Sequence, residues 1–194
     1  MRGCFIYKMR YGEIKKRDIA NGPGVRVSLF VSGCRHRCPG CFNAEAWDFS
    51  YGAPFDSAAE EAVLSAAAPD YIAGLSLLGG EPFEPENRTG LLQLTERFRK
   101  RFLEKNIWCY TGFLFEDLIK EESARALLEQ LDVLVDGKFI KEEKDISLLF
   151  RGSANQRILD VQQSLQSGEA VWLPGNWKRQ MGSGDMDERI GQNE

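Results

Sequence analysis

No apolar stretch in the sequence approaches the roughly 20 residues that a membrane span requires, and the opening MRGCFIYKMRYGEIKK has no secretory apolar core. A membrane anchor and export are thereby set aside, and the expected location is the cytosol. The chain also lacks a basic surplus: 25 Lys and Arg stand against 29 Asp and Glu, a net charge of −4. Neutralising a phosphate backbone takes a concentrated basic surface, so nucleic acid is not the expected partner; a small molecule or a protein is. Five cysteines are an odd number, and three of them crowd into eight residues, which is not a disulfide framework. They read as reduced thiols held for a metal. No internal repeat is visible. At 194 residues, 43% hydrophobic and 28% charged, the composition is that of one ordinary folded domain.

Along the chain, Val25–Val31 is rich in β-formers and ends at Ser32-Gly33, so a strand feeds the crowded cysteines. After a Gly- and Pro-rich loop to Phe55, a capping residue at Asp56 or Ser57 precedes strong helix formers through Ala68. Ile72–Leu78 reads as a buried strand closed by Gly79-Gly80, and Thr89–Lys105 has helical spacing. A short strand follows at Ile107–Tyr110, then a helical stretch from Phe115 to Leu131, then a strand at Val133–Val135. Repeated alternation of strand and helix predicts a parallel sheet with helices packed outside it. A complete eight-unit barrel needs about 250 residues. An α/β fold in the form of a partial, open barrel of mainly parallel strands is therefore expected over 1–173, with a polar, Gly-rich tail from Pro174 to Glu194.

The most informative segment is Gly33-Cys-Arg-His-Arg-Cys-Pro-Gly-Cys-Phe-Asn43, a CxxxCxxC spacing. Gly33, Pro39 and Gly40 disfavour a continuous helix, so Cys34, Cys38 and Cys41 belong to a loop wrapped around something. Soft thiolates select zinc, copper(I) or iron–sulfur centres. Three ligands from one loop leave a [4Fe-4S] cluster with one open iron. The competing reading is a zinc site completed by Cys4, Cys109 or the only histidine, His36, although zinc sites more often pair ligand knuckles from two separated segments. Cys4 and Cys109 otherwise read as small hydrophobes, and Arg35, His36 and Arg37 as residues that shape the electrostatics of the loop.

Further motifs appear in order: NGPGVRVSLFVSGC, CPGCFN, GGEPF, YTG, DVLVDGKF and RGSANQRILD. Together, from Asn21 to Asp160, they resemble the radical S-adenosylmethionine superfamily and, more narrowly, the activating enzymes of anaerobic ribonucleoside-triphosphate reductase. The resemblance implies a radical-type partial barrel, with a [4Fe-4S] cluster on Cys34, Cys38 and Cys41 and S-adenosyl-L-methionine on its open iron. It implies a protein substrate, the reductase, and a low-potential electron donor such as flavodoxin or ferredoxin.

Residue by residue, the resemblance sets Gly79, Gly80 and Glu81 against the methionyl amino group, where bare backbone and a carboxylate suit an ammonium. It makes Thr111, Asp136 and Lys138 candidates for the ribose, the methionyl carboxylate or a nearby cation; a turn and a solvated lysine are the alternative. In the wider superfamily an aromatic commonly precedes the third cysteine. Here Gly40 stands there and Phe42 follows, so Phe42 is the aromatic candidate for the cofactor. The segment Arg151–Arg157 falls near the cofactor or the protein substrate. Other readings stay open: a pyruvate formate-lyase activase, a compact enzyme such as a deazapurine synthase, a non-catalytic zinc or electron-transfer module, and a cluster-bearing sensor.

Overall fold

The computed structural model describes residues 9–175. Its frame is a seven-stranded sheet built from β1 (Arg10–Asp18), β2 (Val25–Val31), β3 (Ala53–Pro54), β4 (Ile72–Gly79), β5 (Asn106–Tyr110), β6 (Val133–Asp136) and β7 (Arg157–Asp160). The spatial order is β3-β1-β2-β4-β5-β6-β7. The run β2-β4-β5-β6 is parallel. On one flank β1 pairs antiparallel with β2, and β3 antiparallel with β1, so β3 points the same way as the central strands. On the other flank β7 runs antiparallel to β6. The sheet is mostly parallel and stays open, with β3 and β7 at its two edges.

Among the described residues five α-helices accompany it: α1 (Ser57–Ala67), α2 (Pro85–Arg101), α3 (Phe115–Leu118), α4 (Glu122–Leu128) and α5 (Val161–Ser167). The Asp56 carboxylate caps α1 by accepting from the Ala59 N–H at 2.9 Å, which meets one of the donors a helix start leaves unpaired. Alternation along each strand divides the sheet into two faces. Val27, Leu29 and Val31 of β2, Leu75 and Leu77 of β4, Ile107 and Cys109 of β5 and Leu134 of β6 pack with the helices in the main core. Trp108, Val133, Val135 and Ile158 form a smaller inner cluster, joined by Tyr110, Phe150 and Leu173.

The inner face also takes a charge. Arg26 is fully buried, and Gly74, one strand over, leaves room for it: a Cβ there would lie 2.9 Å from its guanidinium. Its donors are met by Ser76 Oγ at 2.7 Å, Asn106 Oδ1 at 2.7 Å and the Leu75 carbonyl at 2.8 Å. Burial pulls its pKa down to about 10, as desolvation does for any cation. Among the described residues no helix is long and apolar enough to cross a membrane. The tail expected from Pro174 falls, beyond Gly175, outside the described residues, as does Cys4.

Several elements differ from the sequence expectation. The helix expected from Thr89 begins a turn earlier, with Pro85 in the first helical turn, where its missing N–H costs nothing. The single helix expected over 115–131 is two short ones, broken at residues 119–121. Strands β1 and β7 and helix α5 were not anticipated at all.

Candidate functional site

The loop after β2 is shaped by left-handed residues. Gly33 has φ +93, Arg37 φ +47 and Gly40 φ +73, and these turns fold the CxxxCxxC segment back over the C-terminal ends of the parallel strands. The Gly33 N–H donates to the Ala46 carbonyl at 2.8 Å and the Cys34 N–H to the Trp47 carbonyl at 3.2 Å. The Gly-Gly-Glu turn after β4 clasps the same loop: the Gly80 N–H donates to Val31 O at 2.7 Å and the Glu81 N–H to Gly33 O at 2.8 Å. A Cβ on Gly80 would sit 2.6 Å from Gly33 O and 2.8 Å from Ala46 O. Glycine is needed there because the loop backbone presses directly on it.

Cys34, Cys38 and Cys41 are free thiols, and all three line one cavity of about 530 Å³. Their sulfurs accept backbone hydrogen bonds. Cys34 takes them from His36 and Arg37 and Cys38 from Phe139, while the Asn43 N–H lies 3.4 Å from Cys41 Sγ. Burial nevertheless pushes the Cys34 thiol up to about 11 and raises Cys38 as well. A bound cation must therefore draw off these protons.

Among the described residues no three His, Cys, Asp or Glu side chains converge as ligands of a single metal ion. All three thiols line the one cavity, and thiolates from a single loop are the ligands that iron–sulfur groups take. Cys109, one of the residues considered for completing a zinc site, lies fully buried in the helix-facing core. Trp47 Nε1, a buried donor without a hydrogen-bond partner, belongs to a residue lining the cavity. Soft thiols, N–H groups aimed at sulfur and the orphaned Trp47 donor together fit a cluster with an organic ligand beside it.

Gly79, Gly80, Glu81, Thr111 and Phe42 line this cavity with the thiols. Phe42 is 100% exposed and stands at its mouth. Glu81 is buried and its oxygens are already engaged: Oε1 accepts from the Phe83 N–H at 2.9 Å and Thr111 Oγ1 at 2.7 Å, and Oε2 from the Gly112 N–H at 2.8 Å. His36 Nε2 lies 3.0 Å from Oε2 without the alignment of a hydrogen bond, and its ring packs edge-on against Phe113. Glu81 thus ties the end of β4 to the end of β5 and to the cysteine loop. Gly79 and Gly80 present bare backbone to the cavity.

Two expected site residues do not line this cavity. Asp136 is fully buried and is not among the residues lining the cavity. Its carboxylate accepts from Arg157 Nε at 2.9 Å and from the Phe115 N–H at 2.9 Å. Lys138 is exposed and borders a second hollow with Arg35, Glu84 and Asp117. The Arg151–Arg157 segment has a mechanical role that its sequence did not reveal. Gln156 Oε1 accepts from the Gly152 N–H at 2.8 Å, Gln156 Nε2 donates to Gly137 O at 3.0 Å, and Asn155 Nδ2 donates to Lys138 O at 2.8 Å. These bonds pin the loop between β6 and β7 over the inner face, where Phe139, Ile146, Leu148 and Phe150 wall the cavity. Sequence reasoning missed those four, since nothing in their spacing announces a wall.

A family model described as a 4Fe-4S single cluster domain matches residues 20–159. The chain is 43% identical over 152 residues to the anaerobic ribonucleoside-triphosphate reductase-activating protein of Haemophilus influenzae, covering 77% of this chain and 97% of that protein. The protein of the same name from Escherichia coli K12 is 41% identical over 150 residues, 76% of this chain and 96% of its own length. That of Enterobacteria phage T4 is 41% identical over 152 residues, 77% and 93%. The family match spans the cysteine loop, the Gly-Gly-Glu turn and the central parallel strands, and the chain belongs to the family of anaerobic ribonucleoside-triphosphate reductase-activating proteins, built on a 4Fe-4S single cluster domain.

Proposed function

We propose that this chain activates an anaerobic ribonucleoside-triphosphate reductase by installing a glycyl radical in it. The observation that carries the reading is the meeting of Cys34, Cys38 and Cys41 with the bare backbone of Gly79-Gly80 in one cavity at the C-terminal ends of the parallel strands, where open α/β sheets place their chemistry. The open sheet is read as a partial (β/α) barrel of the radical S-adenosylmethionine type, contained in residues 1–173. A [4Fe-4S] cluster on the three thiolates would supply one electron to S-adenosyl-L-methionine, releasing methionine and a 5′-deoxyadenosyl radical that takes hydrogen from a glycine Cα of the reductase. The electron comes from a low-potential donor such as flavodoxin or ferredoxin.

The protein's own part is to hold, orient and exclude. Gly79 and Gly80 present backbone to the methionyl end. Glu81 fixes Thr111 and Gly112 through the hydrogen bonds described above, so the ends of β4 and β5 cannot drift apart beneath the ligand. Trp47 Nε1 offers a donor from the turn after the cysteine loop. Asp136 acts at one remove: with Arg157 it locks β6 to β7 and so holds the loop that walls the cavity. Phe42 at the mouth is exposed enough to cover the adenine or to meet the reductase.

The test is anaerobic reconstitution with iron and sulfide, reduction, and quantitation of 5′-deoxyadenosine with and without the reductase. The expected result is its formation from S-adenosylmethionine, with a glycyl electron paramagnetic resonance signal when the reductase is present. An intact, reduced cluster that yields no 5′-deoxyadenosine under either condition would sink the reading.

A further inference from the structure

The cavity extends well past the thiols. Its lining continues inward from the cysteine rim along Phe30, Leu78 and Tyr110 to Ala20 and Asn21, which precede β2. Phe30 pairs with Leu78, and the β4–β5 register, with Leu77 opposite Cys109, puts Tyr110 level with Leu78. Three inner-face side chains therefore ring the cavity just below the strand ends. The Tyr110 ring packs with the inner cluster, and its hydroxyl is buried without a hydrogen-bond partner. That cluster includes Trp108, over whose ring the Arg26 guanidinium lies at 5.6 Å, and the charges of Arg26 and Asp18 both act on the hydroxyl. Neither charge is free to satisfy it. Asp18 accepts from Ser28 Oγ at 2.6 Å, Asn21 Nδ2 at 2.6 Å and the Ala20 N–H at 3.0 Å, and Arg26 is bonded as described.

A buried phenol hydroxyl with no partner is costly and rare in native structures. The order of the proposed chemistry says what meets it. Electrons pass from the thiol-held group to the sulfonium, and the 5′ carbon then takes a hydrogen, so the substrate must lie on the side of the cofactor remote from the thiols. Tyr110 borders that side. On the reading of function given above, the substrate there is a glycine within a polypeptide, and what such a segment offers is peptide N–H and C=O groups. A hydroxyl can donate to one or accept from the other. The mouth is apolar as well as open: Phe42 is 100% and Ile146 93% exposed, as suits a protein partner more than a small polar substrate.

We infer that Tyr110 is a substrate-positioning residue whose hydroxyl hydrogen-bonds the peptide backbone beside the target glycine of the reductase. It orients the glycine Cα–H toward the 5′ carbon and takes no part in holding the cluster or S-adenosylmethionine.

The test is Tyr110→Phe in the reconstituted enzyme, a change that removes only an unpartnered oxygen and so leaves packing intact. Cluster content, equilibrium binding of S-adenosylmethionine and its cleavage without the reductase are expected to equal wild type. Affinity for the reductase, read by surface binding under anaerobic conditions, is expected to weaken about 3- to 10-fold, the effect of losing one hydrogen bond. The 5′-deoxyadenosine made per glycyl radical is expected to rise, because a misplaced glycine lets the radical be quenched elsewhere. Unchanged reductase affinity and an unchanged ratio overturn the inference, while wild-type cleavage leaves the proposed function standing. Weaker S-adenosylmethionine binding with normal coupling also overturns it, by assigning the hydroxyl to the cofactor. If wild type itself makes no 5′-deoxyadenosine, the functional reading fails before Tyr110 is tested.

Discussion

Replacing Cys34, Cys38 or Cys41 singly by alanine is expected to abolish both iron–sulfur loading and 5′-deoxyadenosine formation, while Cys109→Ala keeps both. The difference follows from where the sulfurs sit. The first three rim a single cavity and accept N–H groups from their own loop and from Phe139. With three ligands for four irons, none is redundant. The loss should exceed the roughly 10–100-fold that removal of a merely supporting group costs a metal site. Burial raises the Cys34 thiol to about 11, so thiolate forms there at neutral pH only when iron takes its charge. Without the cluster the loop keeps its glycine turns but gains no cross-link. Cys109 faces the helices, fully buried, and its removal costs roughly 1 kcal/mol of packing, on the scale of one methylene. Iron analysis and visible absorbance after anaerobic reconstitution check the series. Full loading in any of the first three variants would show that the ligands are misassigned.

The second large effect is expected at Glu81. Glu81→Ala strands the Phe83 N–H, Thr111 Oγ1 and the Gly112 N–H, all of which now donate to one buried carboxylate. It also leaves the His36 ring edge, 3.0 Å away, facing nothing. Removing one partner of such a buried polar group costs about 3–5 kcal/mol, and at 2–4 °C per kcal/mol the melting temperature should fall on the order of 10 °C. Cleavage of S-adenosylmethionine should be lost along with it, because the same bonds hold the ends of β4 and β5 in register below the cysteine loop. Glu81→Gln separates the two consequences. It keeps one acceptor oxygen but turns an amide NH₂ toward either the Gly112 N–H or the pair at Phe83 and Thr111. A smaller thermal shift is then expected, with 5′-deoxyadenosine formation still reduced. Differential scanning calorimetry of the apoprotein alongside the cleavage assay reads both. A Glu81→Ala variant of wild-type stability would refute the bridging role.

The central strands were legible in sequence because each is a β-rich run closed by a turn residue: Val25–Val31 by Ser32-Gly33, Ile72–Leu78 by Gly79-Gly80. Helix α1 was legible from its cap. β1 was not, and the reason is physical. Its outward residues Glu13, Lys15, Lys16 and Arg17 are charged or exposed, only Tyr11 and Ile14 reach the core, and bulges shift its register with β2. Such a flanking strand is specified by its neighbour more than by its own pattern. β7 was hidden for a similar reason: four residues, two of them polar, paired with β6 through the Asp136–Arg157 match.

At the site, the cysteines and the two glycines announce themselves by type and spacing. Asp136 stood out for its place after a strand, yet its carboxylate serves Arg157 and the start of α3. A strand-end acid looks the same in sequence whether it faces a ligand or a neighbouring strand. The inward tyrosine was noticed only as part of a motif, since an unpartnered hydroxyl is a fact of packing and no spacing encodes it.

The most direct test of the account follows the hydrogen itself. Reductase produced with α-deuterated glycine is incubated anaerobically with the reconstituted, reduced protein and unlabelled S-adenosylmethionine, and the 5′-deoxyadenosine is analysed by mass spectrometry. The account predicts one deuterium in the 5′-deoxyadenosine for each glycyl radical formed. Unlabelled 5′-deoxyadenosine accompanying a full glycyl signal would contradict it.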